Sequence, residues 1–340
     1  MELNGFDVLD QYKDRFQPTI PWLRQGKYVQ IVLLRETKSH AIFTTEGPTL
    51  DVERLQAGLA VQTPIDRLVM YKRKQVAPER RTGKALMRQY GILPEEDVKG
   101  ANGDKRVGGC QLMGSACGVC PDCVLYGFAA TAGTMSQRSR VLTDSAYSIR
   151  EHSQIMRNIK LNAVADTTAG GVGSAYASRE NVIPQVFLPS VETLVDVTQG
   201  EFVYVLGNIL KTTRYGAEVS REGFVRNHVL GIYFSDVEIF SNLELTQRFY
   251  DLLAVDGQVG EYLKLSDFTR VCEEVIGAAV ANAVGVRRAM LPGEMSLLMD
   301  AVADLYGSEE KVRTFLQNLN VESASYERRK TKKSEEEGGE

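Results

Sequence analysis

Residues 27–34 read KYVQIVLL, a short apolar run that is rich in β-branched residues. Such a run predicts a buried strand. Further strand patterns follow on its C-terminal side, and the last strong one covers residues 227–240. Beyond residue 240 the pattern becomes helical. Strands that precede helices in this way predict the α+β class rather than a doubly wound parallel sheet.

The elements around this strand follow an order that is compatible with a ferredoxin-like palm carrying insertions. The order is strand, insertion, strand, hairpin, strand, helix and strand. Residues 51–59 are expected to form a short helix, and residues 201–206 to form a strand. A second short helix is expected to begin at Gly207.

The C-terminal part carries recognisable helix signals. Asn242 and Ser266 are candidate N-caps, and Pro292 suits the first turn of a further helix. Residues 321–340 are rich in charged and small residues and are expected to be a disordered tail.

A glycine-rich stretch separates two extended segments in the middle of the chain. Residues 146–164 look extended, and residues 182–188 alternate before a proline. Between them, TTAGGVGSAYAS at 167–178 has neither GKS/T nor a GxGxxG setting before a helix. The two flanks predict a long hairpin with this loop at its tip. The tip is either an arm that reaches a partner or a mobile surface loop.

The sharpest local motif is C-x6-C-x2-C-x2-C, formed by Cys110, Cys117, Cys120 and Cys123. Four thiolates interleaved with glycine and proline can fold around one tetrahedral ion, which predicts a structural zinc site. An iron–sulfur cluster is the rival, although the ferredoxin pattern places its fourth cysteine downstream and before proline. A third possibility is that one cysteine is a bystander and a histidine completes the set. Cys272 falls in a helical apolar pattern and is assigned to the core.

The charge distribution is more informative than the net charge of −4. Residues 229–325 hold 15 acidic and 7 basic residues, whereas residues 1–228 carry a net charge of +4. This asymmetry indicates a polyanionic partner for the first two-thirds of the chain. The 340 residues contain neither an apolar run of membrane-spanning length nor a signal-peptide pattern, so we expect a cytoplasmic protein without disulfides.

Basic residues concentrate in several segments. Seven of the 17 residues from Lys72 to Arg88 are basic and only Glu79 opposes them, with Tyr71 and Tyr90 at the flanks. Such a density suits phosphate groups, and tyrosine can stack on bases; the alternative is an ordinary solvated basic surface. The candidate RNA-binding residues in these segments are Lys72, Arg73, Lys74, Arg80, Arg81, Lys84, Arg138, Arg140, Arg157, Asn158, Lys211, Thr212, Arg214, Tyr215 and Arg221.

Signals for catalysis are sparse. The three histidines lie far apart without metal-ligand spacing, and no GxSxG motif is present. No catalytic residue is therefore assigned from sequence motifs, although an active site can be assembled from distant residues.

Three separated motifs, in order, resemble one known family. They are MYKRKQVAPERRTGK at 70–84, the CGVCPDC cysteines followed by LYGFAA at 125–130, and LGNILKTTRYGAEVSREG at 206–223. Together they resemble the backbone subunit of the type I-D CRISPR interference complex (Cascade), in the RAMP superfamily. The resemblance covers most of residues 1–320.

The resemblance implies an RNA-recognition-motif-like palm with lid, zinc-binding and thumb-hairpin insertions and a helical C-terminal portion. On this sequence the implied parts are the palm (1–66, 128–164 and 190–240), the basic lid (67–106), the zinc insertion (107–127), the thumb hairpin (165–189), the helical portion (241–320) and the disordered tail (321–340). Residues 208–215 are implied to face the RNA backbone.

The family also implies a function and partners. Several copies are implied to coat the spacer of a CRISPR RNA head to tail and to present it for pairing with target DNA. Large, small, cap and repeat-processing subunits are the other implied partners. Related subunits cut RNA with an aspartate after the first strand, and residues 35–47 contain none, so we expect no cleavage. Glu36, Glu46 or Asp166 could replace it, which leaves a metal-dependent ribonuclease as the alternative. A metal protein without a nucleic-acid role is a third hypothesis.

Overall fold

The computed structural model describes residues 4–93, 98–99, 105–106, 109–112, 116–129, 136–164 and 172–337. Its strands are β1 (Tyr28–Thr37), β2 (Val52–Gln56), β3 (Pro64–Met70), β4 (Val98–Lys99), β5 (Lys105–Arg106), β6 (Phe128–Ala129), β7 (Ser136–Gln137), β8 (Val141–Thr143), β9 (Ala146–Glu151), β10 (Met156–Val164), β11 (Val172–Val182), β12 (Phe187–Val195), β13 (Val225–Ser235), β14 (Ala254–Val255), β15 (Gln258–Val259) and β16 (Arg287–Ala289). Its helices are a 3₁₀ helix at Asp7–Arg15, α1 (Lys72–Gln89), α2 (Pro121–Tyr126), α3 (His152–Ile155), α4 (Gln199–Lys211), α5 (Asn242–Leu253), α6 (Leu265–Asn282), α7 (Pro292–Tyr306) and α8 (Glu309–Glu337).

The stretch KYVQIVLL supplies most of β1, at the centre of the main sheet. β1 pairs antiparallel with β12 on one edge and with β13 on the other. The full order is β16-β13-β1-β12-β8. Nine of the ten residues of β1 are buried, because the strand has neighbours on both edges and packed helices on both faces. This burial explains why its apolar run is almost continuous.

Helices cover the main sheet on both faces. On one face α1 and α4 pack together with α7 and α8 against β1 residues such as Ile31 and Leu33. Gly83 of α1 allows a close approach to α4, because a Cβ atom there would lie 2.3 Å from the hydroxyl of Tyr204. On the other face α5 and α6 pack against Val32 and Leu34 of β1. The α+β prediction is therefore confirmed: the sheets are antiparallel and helices dominate the C-terminal part.

A hairpin forms in the predicted region, but its second strand lies earlier in the chain than the predicted flank at 182–188. β10 and β11 pair antiparallel, from the Met156–Val182 pair to the Val164–Val172 pair. Residues 172–178 of the predicted glycine-rich loop belong to β11, and only Val182 of the predicted second flank does so. Residues 165–171 fall outside the described ranges. At its base the chain contacts the end of β1, where the Gln185 N–H donates to the Thr37 carbonyl oxygen at 2.7 Å. The hairpin therefore leaves the fold beside the C-terminal end of β1.

Two local predictions are wrong. The segment 51–59 contains strand β2 rather than a helix. The segment 201–206 lies inside α4, which begins at Gln199 rather than at Gly207. A capping box sets this start: the Thr198 side chain accepts from the Glu201 N–H, and Glu201 accepts from the Thr198 N–H at 3.0 Å.

The region predicted as a basic lid, 67–106, contributes regular elements to the fold. Most of β3 and all of α1 lie in it, and α1 buries Gln75, Glu79 and Met87. Residues 94–97 and 100–104 of this region fall outside the described part of the chain. The first half of the region is therefore a packed helix with one solvent-facing side.

The C-terminal portion is helical, as the sequence predicts. Pro292 occupies the first turn of α7, whereas the N-cap of α5 is Ser241, one residue before the predicted Asn242. The prediction of a disordered tail from residue 321 is wrong for the described residues, because α8 continues to Glu337. Tyr326 is buried against Ile20 and Val124, and these apolar contacts hold the helix on the fold. Among the described helices, none combines the length and apolarity needed to cross a membrane.

Candidate metal centre and basic face

The four cysteine sulfurs lie close together. All four Sγ atoms are within 4.8 Å of one another. The separations are 3.9 Å for Cys110 and Cys120, 3.5 Å for Cys110 and Cys123, and 4.0 Å for Cys117 and Cys123. A tetrahedral ion with metal–sulfur bonds of about 2.3 Å places its sulfurs about 3.8 Å apart. The quartet therefore fits a single ion, and it is too compact for a four-iron cluster, in which each cysteine binds a different iron.

The backbone around the sulfurs supports the same arrangement. The Cys117 N–H donates to the Cys110 sulfur at 3.3 Å, and the Cys120 N–H donates to the Cys117 sulfur at 3.4 Å. Gly118 has a φ of 80°, a left-handed conformation that suits glycine in the turn between two ligands. Hydrogen bonds from the other three cysteines, with the charge of Lys84, hold the pKa of Cys110 well below its usual range. These features favour a thiolate at Cys110, the form that binds metals.

Three cations of α1 contact the cysteine segment. Arg80 binds both carboxylate oxygens of Asp122, at 3.0 and 2.7 Å. The ammonium group of Lys84 lies 3.1 Å from Asp122 and 2.9 Å from the Cys110 sulfur. Arg88 donates to the Cys110 carbonyl oxygen at 2.7 Å. The spacing i, i+4, i+8 places these three residues along one side of the helix.

This arrangement corrects two predicted RNA contacts. Lys84 is 1% exposed, and the guanidinium of Arg80 is committed to Asp122 and to the Gly127 carbonyl oxygen. Both side chains therefore hold the cysteine segment on α1 and are not available to a phosphate. The basic run in the sequence indicated that both residues bind RNA. Their acidic partner, Asp122, is too far away in the sequence for this pairing to be recognised there.

A second group of cations points to solvent from α1. Lys72, Arg73 and Arg81 are exposed, and Lys74 is half-buried. Lys74 and Arg81 are seven residues apart and so share one side of the helix. Partial burial and the charges of Arg73 and Arg81 lower the pKa of Lys74, despite the opposing effect of Asp51. Positive charges therefore lie close together here, and the negative charge of Asp51 offsets them only in part.

The end of α4 extends this cationic surface. Thr212 donates a hydrogen bond to the Thr82 hydroxyl of α1 at 2.7 Å, which brings the end of α4 beside Arg81. Lys211 and Arg214 on either side of Thr212 are exposed. We call Arg73, Lys74, Arg81, Lys211 and Arg214 the outward basic face. Within the described residues, none of its members forms a salt bridge.

Thr212 and Tyr215 themselves are buried, which corrects their prediction as RNA contacts. Tyr215 is 0% exposed, and its hydroxyl donates to Glu79 at 2.9 Å. The same glutamate binds Arg35, a fully buried residue of β1. Tyr215 therefore anchors the segment after α4 to the core, and it positions the neighbouring Arg214 at the surface.

Arg138 and Arg140 lie at the opposite end of the sheet. Arg140 is buried, donates to Glu201 in the first turn of α4 and contacts the Asp196 carbonyl oxygen at 3.1 Å. Lys211 is at the other end of the same helix, roughly 15 Å away by helical rise. Arg140 is thus a structural residue, which corrects its prediction as an RNA contact. Arg138 is exposed but separate from the outward basic face.

The remaining predicted contacts surround the base of the hairpin. Arg157 and Asn158 are exposed on β10, and Asn158 accepts from the Ser178 hydroxyl at 2.8 Å. Arg221 is exposed beside the hairpin, where Arg179 forms a salt bridge with Glu218. These residues lie at the same end of the main sheet as the outward basic face, because both the hairpin and residues 212–225 adjoin the end of β1.

An Arg35 network was not predicted from the sequence. Arg35 lies fully buried between two glutamates, and its guanidinium donates to Glu79 at 2.8 Å and to Glu192 at 2.9 Å. The only sequence signal was the position of Arg35 directly after the apolar run of β1. An arginine at that point gives no indication of partners that lie 44 and 157 residues away.

The acidic residues considered for RNA cleavage do not form a metal site in the described structure. Glu36 accepts from Lys38 at 2.5 Å and lies 2.9 Å from the Nε2 atom of His228. Glu46 is exposed, and Asp166 falls outside the described residues. Among the described residues, the cysteine quartet is the only group of three or more metal-ligating side chains that lie close together.

The fold and site define a class: an antiparallel α+β protein with a long hairpin, a four-cysteine segment and an exposed cationic face. A sequence profile of the family described as Csc2 Crispr matches residues 15–316. The chain therefore belongs to the Csc2 CRISPR family. A search of curated protein sequences found no match.

Three solved structures are similar. The crystal structure of Thermofilum pendens Csc2 aligns with a TM-score of 0.67 and 17% identity, over 97% of this chain and 98% of that one. A chain from a structure described as a CRISPR RNA-guided surveillance complex aligns with a TM-score of 0.47 and 10% identity, over 82% of this chain and 99% of that one. A chain from a type IV-B CRISPR complex aligns with a TM-score of 0.41 and 14% identity, over 60% of this chain and 90% of that one. The Csc2 likeness shows that the fold is shared along nearly the whole chain.

Proposed function

We propose that the chain is a non-catalytic, CRISPR RNA-binding backbone subunit of a type I-D interference complex, one that polymerises along the spacer and presents the guide. The outward basic face carries this proposal. It gathers five cations at one end of the main sheet, beside the hairpin, and the described residues supply no salt bridge to them. Membership of a CRISPR family makes RNA the polyanion that this surface fits.

The chemistry of the face suits phosphates rather than bases. Lysine and arginine neutralise a phosphate backbone without reading its sequence. A guide reads its target by base pairing, so the protein needs contacts to the backbone only. Lys72 at the start of α1, and Arg157, Asn158 and Arg221 near the hairpin base, extend the proposed RNA path.

We further propose that the main sheet is a ferredoxin-like palm. The chain order β1, α1, β8, β12, α4 and β13 is β-α-β-β-α-β, and the sheet order β13-β1-β12-β8 supports this reading. The β10–β11 hairpin would be the thumb that reaches a neighbouring copy. Copies joined head to tail through different surfaces build an open helix, which suits an RNA guide.

The four cysteines are proposed to hold a structural zinc ion. With all four positions filled by protein, no site is open for a water molecule or a substrate. The ion would keep the cysteine segment folded, and Cys110, Cys117, Cys120 and Cys123 would be its ligands.

The proposed partners are CRISPR RNA, target DNA through guide pairing, other copies of the chain, and large, small, cap and repeat-processing subunits in the cytoplasm. The alternative function, a metal-dependent ribonuclease, would need an acidic residue free to bind a metal beside the RNA. Glu36 is engaged with Lys38 and His228, which favours the non-catalytic assignment.

Purification tests the proposed function. The protein produced with a CRISPR RNA should elute as a particle larger than the 37.7 kDa chain and release that RNA at high salt. The RNA should remain intact on incubation with magnesium. A monomer that carries no RNA under these conditions would overturn the proposal, and RNA shortened by the purified protein would favour the ribonuclease.

The metal site has its own test. We expect about one zinc ion per chain and a colourless protein, because zinc thiolates do not absorb visible light. Replacing Cys120 by serine should remove the ion, since a closed site with three sulfurs binds it far more weakly. Cys272→Ser is the matched control, because that cysteine lies in α6 away from the quartet. Iron in the purified protein, or full metal content in Cys120→Ser, would contradict the assignment.

A further inference from the structure

The cysteine quartet and the α1 cations of the outward basic face lie on two sides of one helix. Arg80, Lys84 and Arg88 attach α1 to the cysteine segment, while Lys74 and Arg81 of the same helix face solvent. Arg80 and Arg81 are adjacent in the chain. The contact of Arg80 with Asp122 fixes the helix backbone there, and this backbone determines where the Arg81 side chain lies. The orientation of α1 against the cysteine segment therefore sets where its solvent-facing cations lie.

The partners of Arg80, Lys84 and Arg88 all belong to the cysteine segment. They are the Asp122 carboxylate and the sulfur and carbonyl oxygen of Cys110. Lys84 and Asp122 are both almost fully buried. Buried charges need such partners because they have lost their hydration.

Removal of the ion takes away the common ligand that holds the cysteine segment folded. Cys110 and Asp122 then lose their fixed positions opposite Lys84 and Arg80. Hydration of this side of α1 becomes favourable, and the helix loses its attachment to the cysteine segment.

We propose that metal binding at the four cysteines and RNA binding at the outward basic face are coupled through α1, with Lys84 as the positioning residue that transmits the coupling. This inference rests on the proposed RNA-binding function. With the ion bound, the Lys84 contact fixes α1, and Lys74, Arg81 and the Thr82–Thr212 hydrogen bond are held in register with the end of α4. Without the ion, this half of the RNA surface loses its fixed geometry.

Coupling of this kind is reciprocal, so it can be measured on the metal side. Zinc affinity is determined by competition with a chromophoric chelator, with and without a single-stranded CRISPR RNA. For the wild-type chain we expect RNA to tighten zinc binding by about tenfold, within the usual range for linked sites. Equal zinc affinities in the presence and absence of bound RNA would overturn the coupling and leave the proposed function intact. Absence of RNA binding under every condition would instead overturn the proposed function.

Substitution of Lys84 tests its role as the positioning residue. Lys84→Met should weaken zinc binding by about tenfold, as substitutions next to metal ligands commonly do, and should abolish the effect of RNA on zinc affinity. At saturating zinc it should bind RNA within about twofold of wild type, since the outward face is unchanged. Lys311→Met, at an exposed position on α8, is the matched control. A Lys84→Met chain that keeps the full RNA effect would exclude Lys84 from this role.

Hydrogen exchange supplies a readout that is independent of binding. Chelation of the metal should increase amide exchange in Lys72–Gln89 and in 116–129, with little change in α5 and α6 on the other face of the sheet. RNA should restore protection in α1 when zinc is limiting. Unchanged protection of α1 after verified metal removal would contradict the proposed coupling.

Discussion

Replacing Arg73, Lys74 and Arg81 together by glutamate is expected to weaken binding of CRISPR RNA by at least about a hundredfold without unfolding the protein. Each substitution removes a cation from a solvent-exposed or half-buried position and adds a like charge to the phosphates. None of the three side chains forms a salt bridge within the described residues, so the fold loses little. The affinity is measured on purified protein by titration of a labelled single-stranded RNA.

Salt dependence separates an electrostatic loss from misfolding. The slope of log K against log salt should fall by about 2 in the triple variant, since each contact to a single strand contributes about 0.7. A matched control reverses three exposed arginines elsewhere: Arg24 at the opposite end of the sheet, Arg270 on α6 and Arg313 on α8. The control chain should retain its RNA affinity within a few-fold. Equal losses in the two triple variants would show that net charge, rather than this face, determines binding.

The sequence predicted the central strand and the cysteine quartet because both are local patterns. A short apolar run such as KYVQIVLL has few alternatives to a buried strand. The spacing of Cys110, Cys117, Cys120 and Cys123 likewise limits how far apart the sulfurs can be. In each case the residues that determine the structure are neighbours in the chain.

The assignment of individual cations was not predictable in the same way. Arg80 and Arg81 are adjacent and chemically alike, yet one binds Asp122 and the other faces solvent. The difference depends on a carboxylate 42 residues away, which the helical period of α1 does not reveal.

The strand predicted at 201–206 was wrong for a different reason. The helix α4 is apolar on nearly every side, so its sequence shows no helical period of apolar and polar residues.

Replacing Arg35 by methionine is expected to have the largest effect on folding. Arg35 is fully buried in β1, and its guanidinium holds groups from several elements. Its hydrogen-bond partners are Glu79, Ser190, Glu192, Tyr215 and Asn227. Methionine fills similar space but leaves two buried carboxyl groups without their cation. Breaking a buried pair in this way costs about 3–5 kcal/mol, a large part of the usual stability of a domain. Urea unfolding followed by circular dichroism measures the loss.

Glu192→Gln is the contrasting variant, and its effect depends on pH. Burial and the nearby Glu79 carboxylate raise the pKa of Glu192 well above its usual range. The native state therefore keeps a proton that the unfolded chain releases above about pH 4.3, so this residue's contribution to stability falls as the pH rises from there toward the native pKa. Glutamine imitates the protonated form and has no proton to lose. We expect the free energy of unfolding of Glu192→Gln to lie within about 1 kcal/mol of the wild-type value at low pH. As the pH rises toward neutral, it should decrease less steeply than that of the wild type. A decline as steep as that of the wild type would show that Glu192 is ionised in the folded protein and that Arg35 is balanced by two carboxylates rather than one.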